Sequence, residues 1–303
     1  MYEEKKRNRT ALVLGAAGPL AVAWETGILA GLTSSCPQLL EPDRIIGTSA
    51  GAVIGSQLSL GYSSQSLYKG ELERGEVAGR RFKEGGFSDP HLPEQLPPMV
   101  NELLKAVSQG DVPEELLVDV AKHAQNHTAL TPEQLLSYFT CFITPIDEWP
   151  DNFTCTAVNA RTGSLEAWDN SSGVNLMQAV SASCCSPLTA RPIEIDGHLY
   201  MDGALKSTTN SELAAGYDTV VIIAPMAAFF PEAVRNQTLR EIPVIEKAGG
   251  KAVLITPDTV SRQSMGTNPF DLSHVVAAAE AGMAQSKSAP LHVDSLFSRF
   301  GRR

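Results

Sequence analysis

The chain has 303 residues and carries 24 Lys and Arg against 34 Asp and Glu, for a net charge of −10 at pH 7. Hydrophobic residues at 43% and charged residues at 19% speak against a disordered or fibrous chain and leave enough apolar side chain for one large α/β core or two smaller ones. A pI near 5.1 is the wrong sign for nucleic acid or for strong attraction to anionic lipid, though it leaves hydrophobic contact with a membrane open.

Lys5, Lys6, Arg7 and Arg9 precede an apolar run from Ala11 to Ala23 whose Ala21-Val22-Ala23 end mimics a secretory cleavage site. Gly15, Gly18 and Pro19 interrupt that run, and apolar patterning continues past Trp24-Glu25 to Leu32. A buried strand, a turn and a helix account for the same letters, and Glu25 inside the longest window speaks against a membrane span. The expectation is a cytoplasmic protein, peripheral at a membrane, with export left open.

Thr10–Gly15 reads as a buried strand and residues 20–32 as a helix; Arg44–Gly47 reads as a second strand and Ala50–Leu60 as a second helix. Two successive strand-turn-helix units predict a parallel sheet covered by helices. Residues 61–150 change texture: segments 64–82, 92–108, 113–126 and 132–139 carry helical spacing between Gly, Pro and Asp breaks. This stretch is expected to be a helical insertion or lid, with Met99, Leu103 and Leu104 lining an apolar pocket or packing internally. Strands return at 152–159 and 165–168, then a helix at 176–183, and a hairpin at 191–201 built on Asp196-Gly197. Continuous apolar runs at 219–224 and 252–256 mark central strands, and a last helix spans 272–285. The economical fold is one α/β domain: core halves at 10–60 and 151–290, the insertion between them, and a tail at 291–303.

The 5 cysteines are Cys36, Cys141, Cys155, Cys184 and Cys185, without a CxxC pair. Adjacent residues such as Cys184 and Cys185 seldom meet disulfide geometry, so small apolar cysteines are the simpler reading.

Gly47-Thr48-Ser49-Ala50-Gly51 is a G-x-S-x-G between a strand and a helix. Such a turn exposes the serine hydroxyl at the carboxyl edge of the sheet and aims the helix N-terminus at a developing oxyanion. A glycine-rich packing turn with a cap-like serine explains the same letters. Gly15-Ala16-Ala17-Gly18 after the first strand brings backbone N–H groups within reach of a phosphate or an oxyanion. Its spacing matches neither a dinucleotide fingerprint nor a P-loop. Asp202-Gly203 closes the hairpin, where the carboxylate points into a cleft or serves turn chemistry alone. Of the 6 histidines (His91, His123, His127, His198, His274 and His292), none sits in a telling motif. His123 and His127 have the spacing of a metal clamp but no third ligand, so a solvated helix face is preferred. His274 or His292 would complete a Ser-Asp-His order.

Taken together, these signals resemble the patatin-like phospholipase family, bacterial members in particular. The segments ALVLGAAGPLAVAWETGILAGL, RIIGTSAGAVIGSQLSLG, AVNARTGSLEAWD, AVSASCCSP, YMDGALKSTTNSELAAGYDTVVIIAP and ITPDTVSRQSMGTNPFD are similar to that family's blocks, in the same order. The resemblance implies a three-layer α/β/α sandwich with a mainly parallel central sheet. It also implies a lipid or ester substrate hydrolysed by a Ser-Asp dyad without histidine, through an acyl-enzyme. Ser49 would be the nucleophile, Asp202 the general base, and the backbone N–H groups of Ala16, Ala17 and Gly18 the oxyanion hole. Gly47 and Gly51 would form the nucleophile elbow, and Gly203 would support the base. No metal or organic cofactor is called for, and the expected contacts are substrate and, transiently, a membrane or micelle surface. The glycine run departs from the family's pattern: Ala16, Ala17 and Ala21 replace glycines, Pro19 lacks an N–H, and Leu20 stands about where an arginine is frequent. Alanine at φ > 0 would be strained. The alternative is therefore a patatin-fold lipid-binding or scaffolding protein with weakened catalysis.

Overall fold

A computed structural model describes residues 8–33, 36, 39, 41–83, 98–109, 111–127, 130–139 and 149–288. Its centre is an 8-stranded sheet in the order β5-β6-β3-β2-β1-β7-β8, with β4 also paired to β3. The strands are β1 (Thr10–Leu14), β2 (Arg44–Gly47), β3 (Phe153–Asn159), β4 (Leu165–Trp168), β5 (Ile193–Ile195), β6 (His198–Asp202), β7 (Thr219–Ile223) and β8 (Lys251–Ile255). From β3 through β8 along this path all pairings are parallel, whereas β4 and β6 run antiparallel to β3 and β5 runs antiparallel to β6.

Alternation along β1 sets the layers. Leu12 and Leu14 face one side, in a core with Trp24, Ile28, Ile45, Phe153 and Ile223. Ala11 and Val13 face the other, with Ile46, Val220, Ile222 and Ile245. The first side is covered by α1 (Gly18–Thr33), α2 (Ala50–Ser59), α7 (Leu176–Ser183) and α10 (Val275–Ser286). Apolar residues on both faces of β1 and β7 make these strands uniformly hydrophobic, as parallel central strands are. Helices α1 and α10 approach at backbone distance: a Cβ at Gly27 would fall on the Ala279 carbonyl, and one at Gly282 on that of Trp24.

The apolar run 11–23 is thus β1 plus the start of α1, at the centre of the sheet. No helix among the described residues is long and apolar enough to cross a membrane. The Asp196-Gly197 hairpin turn has φ of 50° and 77°, the left-handed pair of a type I′ turn.

In residues 61–150, α3 (Ser64–Lys83) packs against α1 and α10, and α6 (Pro132–Phe139) against α7. Helices α4 (Pro98–Gln109) and α5 (Glu114–His127) pack on the sheet's second side against Val158, Met201 and Leu205. Leu103 is buried in that cluster and Met99 packs onto it, so the pocket-lining expectation for these two gives way to internal packing; the Leu104 side chain lies outside the described residues. Two helices were not anticipated from the sequence: α8 (Pro231–Lys247) and α9 (Thr259–Met265). Pro243 sits inside α8 and reads as a helix breaker, yet the helix continues through it.

One carboxyl group is sealed inside this core. Glu25 on α1 is 0% exposed; its Oε1 accepts the Gly15 N–H at 3.0 Å, and its Oε2 has no partner among the described residues. Burial holds its pKa well above the ordinary carboxyl value, against the opposing pull of the Gly15 bond. The folded state therefore keeps a proton that the unfolded chain releases, and stability falls as pH rises above the ordinary carboxyl range. Glu25→Gln, which keeps an acceptor for Gly15, is expected to melt with the wild type at acid pH and increasingly above it as pH rises. Parallel melting curves across pH would contradict an uncharged Glu25.

Candidate active site

The segment between β2 and α2 makes a tight turn. Ser49 adopts φ 54° and ψ −116°, a conformation that costs a non-glycine residue about 1–3 kcal/mol. Surrounding bonds hold it there. Thr48 N–H donates to the Leu14 carbonyl at 3.0 Å, Ser49 N–H to the Ser183 hydroxyl at 2.8 Å, and Gly51 N–H to the Gly15 carbonyl at 3.0 Å. A Cβ at Gly51 would fall on the Leu14 carbonyl, so only glycine lets α2 pass this close to β1.

The same turn presents the Ser49 hydroxyl to Asp202, the last residue of β6. Ser49 Oγ donates to Asp202 Oδ2 at 2.8 Å, and Ala204 N–H donates to Oδ1 at 2.9 Å. Ser49 is 7% exposed and Asp202 6%. Burial raises the Asp202 pKa to about 7, outweighing the two hydrogen bonds that favour the anion. Such a carboxylate accepts protons near neutral pH, which an exposed aspartate does poorly. Gly203 lets the chain leave β6 directly over Thr156 of β3, where a Cβ would lie 2.8 Å from that residue's carbonyl oxygen.

The glycine-poor turn after β1 lies beside this pair, tied to it by the bonds from Thr48 and Gly51 to Leu14 and Gly15. Neither Ala16 nor Ala17 has positive φ; the residue that needs it, at φ +64°, is Gly18. The alanines therefore sit without backbone strain. Pro19 occupies the first turn of α1, where an N–H has no helical acceptor in any case. Ala16 N–H donates to the Thr208 carbonyl at 2.9 Å, which corrects the expectation that it serves as an oxyanion donor. The N–H groups of Ala17, Gly18 and Ala50 have no partner among the described residues. They lie at the starts of α1 and α2, which both aim the positive ends of their dipoles at this edge of the sheet. Pro269 and Phe270 close over Gly18 from the far end of the chain.

Ser49, Asp202, Ala17, Gly18, Gly47, Gly51 and Gly203 thus gather at one edge of the sheet. No described histidine makes a hydrogen bond to Ser49 or Asp202. His274 Nδ1 is 2.7 Å from the Ser264 carbonyl and its ring packs at Gly266. His198 is exposed on the hairpin. His91, His292 and Cys141, with the side chain of His127, lie outside the described residues.

Sequence reasoning passed over two groups here. Cys155, Cys184 and Cys185 surround the Ser49–Asp202 pair, with Cys184 beside the serine hydroxyl. Burial first, and then the charge of Asp202, keeps the Cys184 and Cys185 thiols protonated, and burial pushes Cys155 up to about 12. The other group is Asn210, fully buried at φ 51°, whose amide donates to Thr48 Oγ1 at 3.0 Å and to the Ser207 carbonyl at 2.9 Å. Its one sequence signal is a left-handed-tolerant residue eight positions after Asp202.

No curated protein sequence matches the chain. Among solved structures, it is similar to VipD from Legionella pneumophila, at 14% identity and TM-score 0.43, over 95% of this chain and 67% of that one. It is also similar to the type III effector protein ExoU, at 14% identity and TM-score 0.38, over 94% of this chain and 54% of that one. A third similar structure is full-length ExoU of Pseudomonas aeruginosa in complex with SpcU, at 15% identity and TM-score 0.32, over 95% and 53%. The chain spans about half the length of ExoU. The sequence profile of the patatin-like phospholipases matches residues 12–215, a stretch that holds the turn after β1, Ser49 and Asp202. With more than half of the chain matched, and with a mostly parallel sheet flanked by helices, this protein belongs to the patatin-like phospholipase family.

Proposed function

We propose that this chain hydrolyses carboxylic esters of lipids with Ser49 as nucleophile and Asp202 as general base. The observation that carries the reading is the 2.8 Å hydrogen bond from a buried serine hydroxyl to a buried carboxylate whose pKa lies near neutrality. In this mechanism Ser49 Oγ attacks the ester carbonyl carbon while its proton passes to Asp202. The carbonyl oxygen becomes an oxyanion, met by the N–H groups of Ala17 and Gly18, with Ala50 as a third donor. Collapse breaks the bond to the leaving alcohol, which takes the proton from Asp202 and departs. Asp202 then deprotonates a water that attacks the acyl-enzyme, and the second tetrahedral intermediate releases the fatty acid and restores Ser49.

A phospholipase A, a lysophospholipase and a simple carboxylesterase all share this chemistry, and the proposal is for the acyl transfer common to them. The alternative of a catalytically weakened lipid-binding protein rested on the Ala/Pro-altered turn, through backbone strain and through loss of an oxyanion donor. Gly18 alone in that turn has positive φ, which speaks against the strain, and with Ala16 N–H committed to Thr208 the donors left in that turn are those of Ala17 and Gly18.

A fluorophosphonate probe tests the nucleophile. Intact-mass analysis is expected to show one adduct on the wild type and none on Ser49→Ala; an adduct that persists in the variant would exclude Ser49. The base makes a pH prediction, because it works only when ionised. With Asp202 titrating at about 7, kcat/KM is expected to climb roughly tenfold per pH unit below that point and level off above it. An ascending limb near pH 4 would contradict a desolvated base. Asp202→Asn should lose roughly 10²–10⁴ in rate. The same variant should melt above the wild type at pH 8, because the folded protein holds the Asp202 proton more tightly than the unfolded chain does. Near-normal turnover in Asp202→Asn would remove the dyad.

A further inference from the structure

The segment Ser207–Ser211, which follows Asp202 after one short 3₁₀ turn, is polar at every position and yet buried throughout. Buried hydroxyls demand partners, and those of Ser207, Thr208, Thr209 and Ser211 find theirs on α8. Gln237 and Glu241, one helical turn apart, are 2% and 7% exposed. Gln237 Oε1 accepts Thr208 N–H at 3.1 Å and the Thr208 hydroxyl at 2.7 Å. Glu241 Oε2 accepts the Thr209 hydroxyl at 2.9 Å, Ser211 N–H at 3.0 Å and the Ser211 hydroxyl at 2.6 Å, and its Oε1 accepts the Ser207 hydroxyl.

With its hydroxyls committed to α8, the segment turns its remaining groups toward the site. The Thr208 carbonyl accepts Ala16 N–H at 2.9 Å, fixing the turn from which Ala17 and Gly18 present their donors. The Asn210 amide reaches Thr48, the residue before Ser49, at 3.0 Å. The segment therefore starts near Asp202 and touches both the turn after β1 and the serine elbow. Its grip on α8 is directional at Ser207, Thr208, Thr209 and Ser211, which apolar packing would not be. Burying a polar side chain for this purpose is costly unless its oxygens are engaged, and both oxygens of Glu241 accept hydrogen bonds.

We propose that Gln237 and Glu241 form a positioning clamp that sets the placement of the turn after β1 relative to Ser49 and Asp202. Both lie beyond the stretch matched by the family profile. The consequence for rate rests on the proposed dyad; the structural coupling to Ala16 does not.

The test compares Gln237→Leu and Glu241→Gln with Leu32→Ala, a fully buried position at the end of α1 away from this edge. Two readouts are followed: the rate of fluorophosphonate labelling at Ser49, and hydrogen exchange at the Ala16 amide by NMR. Both clamp variants are expected to label at least tenfold more slowly and to exchange Ala16 at least tenfold faster, with Leu12 and Val13 of β1 unchanged. Leu32→Ala, even with an equal or larger fall in Tm, should stay within twofold of wild type on both. The proposal is overturned if the clamp variants keep Ala16 protected, or if all three variants lose labelling in proportion to Tm. If wild-type Ser49 takes no label at all, the dyad fails, and the Ala16 exchange still decides the clamp.

Discussion

For the proposed dyad to work, Asp202 must be dry enough to be basic and yet keep hydrogen bonds enough to ionise. Its surroundings strike that balance: burial pushes the pKa up to about 7, while Ser49 Oγ–H and Ala204 N–H pull it back toward the anion. Without burial the group would sit near its ordinary value of 3.8 and make a poor proton acceptor. Without the two donors, which lower the pKa, it would hold its proton more tightly and hinder the proposed attack. Much of the rest of the structure serves to keep these opposing effects in place, including the strained turn at Ser49 and the tight departure of the chain at Gly203.

The fold meets this requirement by bringing together parts that are far apart in sequence. β1 lies between β2 and β7, so the turns after β1 and β2 open at the point where connections diverge to either side of the sheet. β6 enters antiparallel to β3 and delivers Asp202 opposite Ala157, just past the level where Gly47 pairs with Cys155. Two helix N-termini then face the same small volume. Stability is given up at several points for this arrangement: positive φ at Ser49, a sealed carboxyl at Glu25, and a desolvated Asp202.

Most of the frame was legible in the sequence because it follows from local pattern. The buried runs at Thr10–Leu14 and Thr219–Ile223, the G-T-S-A-G between strand and helix, and the Asp196-Gly197 hairpin each declare themselves within a few residues. Long-range pairing was not legible. Nothing near Ala16 indicates that its N–H is taken by Thr208, so the alanine reads as an oxyanion donor when it is a tethered backbone position. Helix α8 was missed because Pro243 and a polar composition hide it, and with it went the partners of Ser207–Ser211. Leu103 shows the opposite limit: an apolar residue at helical spacing packs equally well in a core or around a pocket, and only the tertiary neighbours Val158 and Met201 decide.

The most direct measurement is a crystal structure of the protein after reaction with a fluorophosphonate, whose phosphoryl oxygen stands where the oxyanion would form. The account predicts phosphorus bonded to Ser49 Oγ, with the phosphoryl oxygen about 3 Å from the N–H groups of Ala17 and Gly18 and Ala16 still donating to Thr208. A phosphoryl oxygen turned away from that turn, or an adduct on any other residue, would contradict it.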